Sequence, residues 1–257
     1  MHVCAHLFET NGSRVASELE EPWWVRYNDD IHGVIESGWG ENSSLLSPEI
    51  CVLLAEVDAE FVAEGGDSGV WPNPHADGTY VDESEFGRCP DPSRFLLVAI
   101  RAQAWVSVLL ERGWATVTSD LDWALRPLEC GGADVVLAPL ADGAVPLVLT
   151  THQPSTTEHP VNISIAAGDP AVSLASIPDC ACDGCDSGSA ALIEEIDTWI
   201  LSVVDGSLAV AASFEHYSCR TSFHCQSGTV QNLDRSTSFT AAPWPQNWSA
   251  RSLVSET

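Results

Sequence analysis

Two pairs of segments with alternating apolar residues constrain the fold of this chain more than any other feature. ADVVLAPL and AVPLVLTTH flank Asp142–Gly143, and VNISIAAG and AVSLASIP flank a turn at Asp169–Pro170. Alternation with a period of two places apolar side chains on one face of a strand, and an Asp-Gly pair between two such strands is typical of a hairpin. The sequence therefore predicts an antiparallel sheet built from two consecutive hairpins.

Three other segments carry apolar residues at the three-to-four spacing of a helix. The first two begin at Pro48 and Pro92, each preceded by a capping side chain, and each ends at a glycine. The third is expected to begin at Ser187 or Ser189, with the serine as N-cap, and to end at Asp205. Consecutive hairpins together with separate helices predict the α+β class.

These elements predict one folded domain with an irregular segment at each end. We expect a single α+β domain over residues 46–225, in which an antiparallel sheet built from hairpins packs on two or three helices. Residues 1–45 show no sustained period and are predicted to form a poorly ordered acidic arm. Residues 226–257 are rich in Ser and Thr and are predicted to form a flexible polar tail.

The charge of the chain excludes several classes of partner. It carries 37 acidic and 10 basic residues, and its formal net charge is -27. Such a surface repels phosphates and anionic lipids, so we expect no nucleic-acid partner and no membrane partner. It suits a basic protein partner, and an acidic inhibitor or immunity-type protein is one form that such a chain could take. The N-terminus lacks the pattern of a secretory signal and no apolar stretch is long enough to span a membrane, which predicts a cytoplasmic protein.

Three cysteines fall within six residues directly before the third predicted helix. Zinc prefers four thiolate or imidazole ligands, and Cys182-x-x-Cys185 has the spacing with which a short loop offers two of them. Cys180 could supply a third. The fourth would come from a distant part of the chain. The candidates are His216, Cys219, His224 and Cys225, which lie just beyond the predicted strand that follows the helix, and His152, which ends an earlier strand; we choose His216. The pattern thus predicts a structural zinc site at Cys180, Cys182, Cys185 and His216.

Two other interpretations of the same loop stay open. Cys182 and Cys185 could act as a redox dithiol, because a thiol near the start of a helix is more easily ionised. Alternatively, the cysteines are small packing residues in a tight turn. Asp179, Asp183 and Asp186 add negative charge to the loop, which favours a cation but not zinc in particular.

No complete catalytic motif accompanies the cysteine loop. The sequence contains neither a phosphate-binding glycine loop, nor His-Glu-x-x-His, nor Gly-x-Ser-x-Gly. We therefore expect a non-catalytic cytoplasmic binding or accessory protein. The alternative is a thiol- or metal-dependent enzyme that uses the same loop together with His75, His152 or His216.

Three motifs taken together resemble a known family. They are the PDCACDGCDSGS string of residues 178–189, the Trp-Pro-x-Pro-His loop that begins at Trp71, and the Arg101-Ala-x-Ala-Trp105 helix segment. This combination resembles an uncharacterised, mainly actinobacterial family of domains of unknown function, over about residues 48–215. The resemblance implies a bacterial cytoplasmic protein and supplies no activity.

Overall fold

The computed structural model describes residues 21–38, 45–76, 78, 80–128, 132–153, 159–230 and 232–254. The chain divides into two compact units, Met1–Ala59 and Glu60–Thr257. In the first unit, helix α1 (Trp23–Glu36) precedes helix α2 (Pro48–Ala63), which continues into the second unit. The Asn28 side chain accepts a hydrogen bond from the backbone of Leu46 and donates one back to it. The predicted N-terminal arm therefore contains a helix, while its first 20 residues lie outside the described residues.

The larger of two sheets in the second unit contains both predicted hairpins. Its six strands lie in the order β1-β3-β4-β5-β6-β2, and every neighbouring pair is antiparallel except β2 with β6. Their bounds are β1 (Ala115–Thr118), β2 (Trp123–Leu125), β3 (Ala133–Pro139), β4 (Leu147–His152), β5 (Asn162–Gly168) and β6 (Ala171–Ile177). The turns at Asp142–Gly143 and Asp169–Pro170 join β3 to β4 and β5 to β6, so the sequence signals correspond to real hairpins.

A second sheet follows the last helix of the chain. It consists of four antiparallel strands in the order β10-β7-β8-β9, with bounds β7 (Leu208–Ala212), β8 (Tyr217–Thr221), β9 (Cys225–Gly228) and β10 (Thr237–Thr240). The segment predicted as a polar tail contains most of β9 and all of β10, and its Trp244 is buried. The indole of Trp244 donates to the carbonyl of Val145. A short polar edge strand gives no periodic signal, which is why the composition of this segment resembled a tail.

The continuous strand that the sequence predicts through His216 is instead two strands joined by a turn. The backbone N–H of His216 donates to the Ser213 hydroxyl at 3.0 Å, and the N–H of Ser213 donates to the His216 carbonyl at 2.8 Å. Serine side chains often close turns in this way. His216 therefore lies in an exposed turn between β7 and β8, where strand parity does not orient its side chain.

Two helices pack against the large sheet and against each other. Helix α3 (Leu96–Glu111) follows a single 3-10 turn at Pro92–Phe95 and contacts β5, and α4 (Ser189–Val204) contacts β5 and β6. The four helices and two largely antiparallel sheets of the described residues confirm the α+β class. Within the described ranges, Pro92–Glu111 alone is long and apolar enough to cross a membrane, and 56% of its most apolar window is buried. That burial is compatible with the core helix of a soluble protein.

A buried ion pair joins α3 to α4. Arg101 donates from Nε to Oδ1 of Asp197 at 2.8 Å, and from Nη2 to Oδ2 at 2.5 Å. The indole of Trp105 donates to the same carboxylate at 2.7 Å. Both charged side chains have no exposed surface. Because a charge left unpaired in such a position is costly, the pair fixes how the two helices meet.

We predict that Asp197→Asn lowers the free energy of unfolding by about 3–5 kcal/mol, because it leaves the Arg101 guanidinium buried without its counter-charge. Asp234→Asn is the matched control, since the Arg126–Asp234 pair has a similar distance of 3.2 Å but side chains that are 60% and 52% exposed. The control should cost less than about 1 kcal/mol. Urea unfolding at neutral pH measures both, and equal losses in the two variants would contradict the assignment.

We also predict a pH dependence that originates at His224. Its ring stacks on Trp199 at a centroid distance of 4.5 Å, and its Nε2 lies 3.0 Å from the hydroxyl of Thr198. Burial lowers the pKa of His224 below its ordinary value of 6.5. The pKa of His224 is therefore lower in the folded chain than in the unfolded chain. The contribution of neutral His224 to the free energy of unfolding is fully present above the pKa of the unfolded chain, and it is lost as the pH falls through the pKa of the folded chain.

The variant His224→Gln removes this titration. Between pH 7.5 and pH 5, the wild-type chain should lose more unfolding free energy, or gain less, than His224→Gln does. Urea unfolding of both proteins across this range measures the difference, which isolates His224 from the many titrating carboxylates. Parallel pH profiles would show that His224 does not contribute.

Candidate metal centre

Three thiols converge in the loop between β6 and α4. The sulfur atoms of Cys180, Cys182 and Cys185 all lie within 4.8 Å of one another, and those of Cys180 and Cys182 are 3.2 Å apart. Sulfur ligands of a tetrahedral zinc ion with bonds of about 2.3 Å lie about 3.8 Å apart. Among the described residues, this is the one group of three or more His, Cys, Asp or Glu residues arranged closely enough to hold a metal ion.

The backbone of the loop explains why the thiols converge. A single 3-10 turn, Asp183–Cys185, brings the N–H of Cys185 to the carbonyl of Cys182 at 3.0 Å. A neighbouring segment supports the turn from the side, because the N–H of Asp183 donates to the Arg88 carbonyl at 2.8 Å. The N–H of Gly87 donates to the sulfur of Cys182. Backbone groups of residues 87–88 thus hold the cysteine loop in place.

The hydrogen bonds within the loop separate the acidities of two thiols. The donation from Gly87 to its sulfur, together with the hydrogen bond from Cys180, lowers the pKa of Cys182 to about 7. Hydrogen bonds to Cys182 and Cys180 raise the pKa of Cys185 to about 12. The cluster therefore supplies one readily formed thiolate, which its neighbours stabilise. A cation bound there would displace the remaining protons, as in any thiolate metal site.

Two of the three aspartates of the loop, Asp183 and Asp186, are already paired with arginines. Asp183 accepts a hydrogen bond from Arg88 Nε at 3.0 Å and lies 3.6 Å from Arg94 Nη2. Asp186 lies 3.1 Å from Arg94 Nη2, and both of its oxygens lie 3.0 Å from the indole nitrogen of Trp71. The sequence indicated that the negative charge of these two carboxylates favours a bound cation, but arginines of the chain already pair with both. Their role in the structure is to tie the loop to its neighbours.

The start of α4 is held by the segment at Trp71. The Ser189 hydroxyl donates to the Trp71 carbonyl at 2.9 Å, and the Trp71 N–H donates to the Ser189 oxygen at 3.0 Å. The prediction that Ser187 or Ser189 is the N-cap of α4 is therefore wrong, because Gly188 occupies that position with φ of 84°. A Cβ at Gly188 would lie 2.6 Å from the backbone nitrogen of Asn73, so the close approach of the two segments requires glycine here.

The histidines considered from the sequence lie in three different places. His75 is at the loop, with Nε2 3.0 Å from the Asp183 carbonyl oxygen. His152 is in β4, and His216 is in the β7–β8 turn. His152 and His216 do not belong to the cluster that the three thiols form. The assignment of His216 as the fourth ligand stays a prediction. Asp77, which the Trp71 loop also contains, lies outside the described residues.

The structure adds Cys89 to the surroundings of the loop. Cys89 follows Arg88 directly and carries a free, partly buried thiol. Burial raises the pKa of Cys89, the Arg94 guanidinium opposes this shift, and the charges of Asp183 and Cys182 add to it. No sequence signal relates Cys89 to the cluster, because about 90 residues separate it from Cys180 and the two segments meet only in the folded chain.

Comparison with known proteins gives one result. No curated protein and no solved structure matches the chain. Residues 57–252 match a family of unknown function, and the matched range includes the Trp71 segment, the cysteine loop and both sheets. It also includes most of the segment that the sequence predicted as a tail. Because the match covers more than half of the chain, this protein belongs to the family of unknown function DUF6226.

Proposed function

We propose that this protein is a non-catalytic cytoplasmic binding or accessory protein whose fold is stabilised by zinc at the cysteine loop. The convergence of the three sulfur atoms within 4.8 Å carries the proposal. Thiolates select zinc over the hard cations magnesium and calcium, and zinc in such sites is a structural ion without redox chemistry. Cys180, Cys182 and Cys185 would be its ligands.

The position of the loop favours a structural role for the metal. The loop contacts two other segments, one at Trp71 and one at residues 87–88, through backbone and side-chain hydrogen bonds. A zinc ion at the thiols would hold this junction in place, because its binding free energy adds to that of folding.

A thiol-dependent enzyme is the second candidate, and the lowered pKa of Cys182 supports it. The exposure of the individual thiols argues against an enzyme. Cys182 is only 6% exposed, whereas the exposed Cys185 has a pKa raised to about 12. The thiol with the lowered pKa is thus the buried one of the three, while Cys180 and Cys185 are exposed. A small ion reaches a buried sulfur atom more easily than an organic substrate does, which is why we rank the metal first.

The surface charge supports a proposal about partners. Several arginines pair with carboxylates of the chain itself, so they do little to create a basic surface; these include Arg88, Arg94, Arg101, Arg126, Arg235 and Arg251. With a net charge of -27, the remaining acidic surface would attract a basic protein and repel nucleic acid and anionic membranes. An inhibitor of a basic protein is one form that this role could take.

The test of the metal proposal compares Cys182→Ser with Cys225→Ser. Cys225 is an exposed free cysteine of β9 outside the thiol group, so its substitution controls for the loss of any one cysteine. We expect Cys182→Ser to lower the melting temperature by more than about 5 °C, and Cys225→Ser to leave it unchanged. Prolonged dialysis of the wild type against a chelator should lower its melting temperature equally, and added zinc should restore it.

Two outcomes would contradict this proposal in different ways. If the chelator leaves the wild-type melting temperature unchanged, no metal stabilises the fold. If Cys182→Ser melts normally but the wild-type thiols react with iodoacetamide much faster than those of the variant, the loop supports thiol chemistry instead.

A further inference from the structure

We infer that Cys89 is the fourth ligand of the metal, so that the centre is a closed site of four thiolates drawn from two distant segments. The inference rests on the proposed function, because it assumes that the loop binds zinc. It goes further by assigning a residue that sequence spacing does not indicate. It also replaces His216, which lies in the exposed β7–β8 turn outside the group of thiols.

The backbone places Cys89 beside the cluster. The Arg88 carbonyl accepts from the N–H of Asp183 at 2.8 Å, and the N–H of Gly87 donates to the sulfur of Cys182. Residues 87–88 therefore run alongside residues 182–183, and Cys89 is the next residue of this segment. It is close enough to Cys182 for their charges to interact.

Side-chain contacts strengthen the pairing of the two segments. Arg88 also donates through its side chain to Asp183 at 3.0 Å. The ring of Phe86 packs so closely on Gly184 that a Cβ there would lie 3.0 Å from it. Residues 86–88 thus contact residues 182–184. Cysteines from both segments can therefore bind one ion.

The sulfur of Cys89 is not within the group of three, so it must move when the metal binds. Rotation about χ1 moves a cysteine sulfur between staggered positions without moving the backbone. His75 is the competing ligand at this place, but its Nε2 already contacts the Asp183 carbonyl at 3.0 Å. A free thiol that becomes a thiolate also matches the other three ligands in chemical type.

The closed site would have a clear structural effect. Zinc would connect residue 89 to residues 180–185, two segments separated by about 90 residues in the sequence. A cross-link across so long a loop removes more conformational entropy from the unfolded chain than one across a short loop. Four protein ligands also leave no position for a water molecule, which is the arrangement of structural rather than catalytic zinc.

X-ray absorption at the zinc edge of the zinc-loaded protein tests the inference directly. We expect four sulfur atoms at about 2.3 Å in the wild type and in Cys225→Ser, and three sulfur atoms with one lighter atom in Cys89→Ser. A wild-type site with three sulfur atoms and one nitrogen or oxygen would overturn the inference and leave the proposed function intact. Four sulfur atoms in Cys89→Ser would also overturn it. A wild-type protein that takes up no zinc would instead overturn the proposed function.

A second measurement needs no variant, so it stays informative if Cys89→Ser does not fold. The wild-type protein is treated with N-ethylmaleimide with and without bound zinc, and the labelled peptides are quantified by mass spectrometry. Zinc should slow the labelling of Cys89 at least tenfold, as it should for the three loop cysteines, while the exposed Cys225 is labelled equally in both forms. Equal labelling of Cys89 with and without zinc, when the loop cysteines are protected, would overturn the inference alone.

Discussion

The arrangement of the cysteine loop depends on the contacts of the Asp186 carboxylate. This carboxylate is buried, it accepts hydrogen bonds from the indole N–H of Trp71 and the backbone N–H of Gly188, and it forms an ion pair with the guanidinium of Arg94 at 3.1 Å. These three groups belong to the segment before residue 76, to the turn before α3 and to the start of α4. A buried carboxylate is stable only when it is paired and hydrogen-bonded in this way. Asp186 therefore fixes where the loop lies before any metal is considered.

The convergence of the thiols follows from this support. Asp183 is held from the side by Arg88 and Arg94, and the 3-10 turn that begins at Asp183 closes the distance between Cys182 and Cys185. With the backbone held at both ends, the three cysteines stay close to one another. The folded chain thus prepares the site in advance, which reduces the ordering that metal binding would otherwise require. Zinc would complete a site that the arginines and the tryptophan have positioned.

The sequence predicts the local features of this structure well and the distant contacts poorly. The hairpins at Asp142–Gly143 and Asp169–Pro170 have turn signals within a few residues, and α2, α3 and α4 have apolar residues at helical spacing, so these elements were predictable. Helix α1 was missed, because its segment shows no sustained period. The strand break at Ser213 and the edge strand β10 have only weak local signals. The partners of Asp183 and Asp186 lie about 90 residues away, so nothing near them shows that their charge is already paired. Cys89 is missed for the same reason.

The metal content of the purified protein tests the central claim most directly. The chain should be expressed in a medium that contains zinc, purified under reducing conditions without any chelator, and analysed for metals by mass spectrometry against the protein concentration. The account predicts about one equivalent of zinc for each chain, because structural zinc sites bind tightly enough to survive purification. Less than about a tenth of an equivalent of zinc, or of any other thiolate-binding metal, would contradict it.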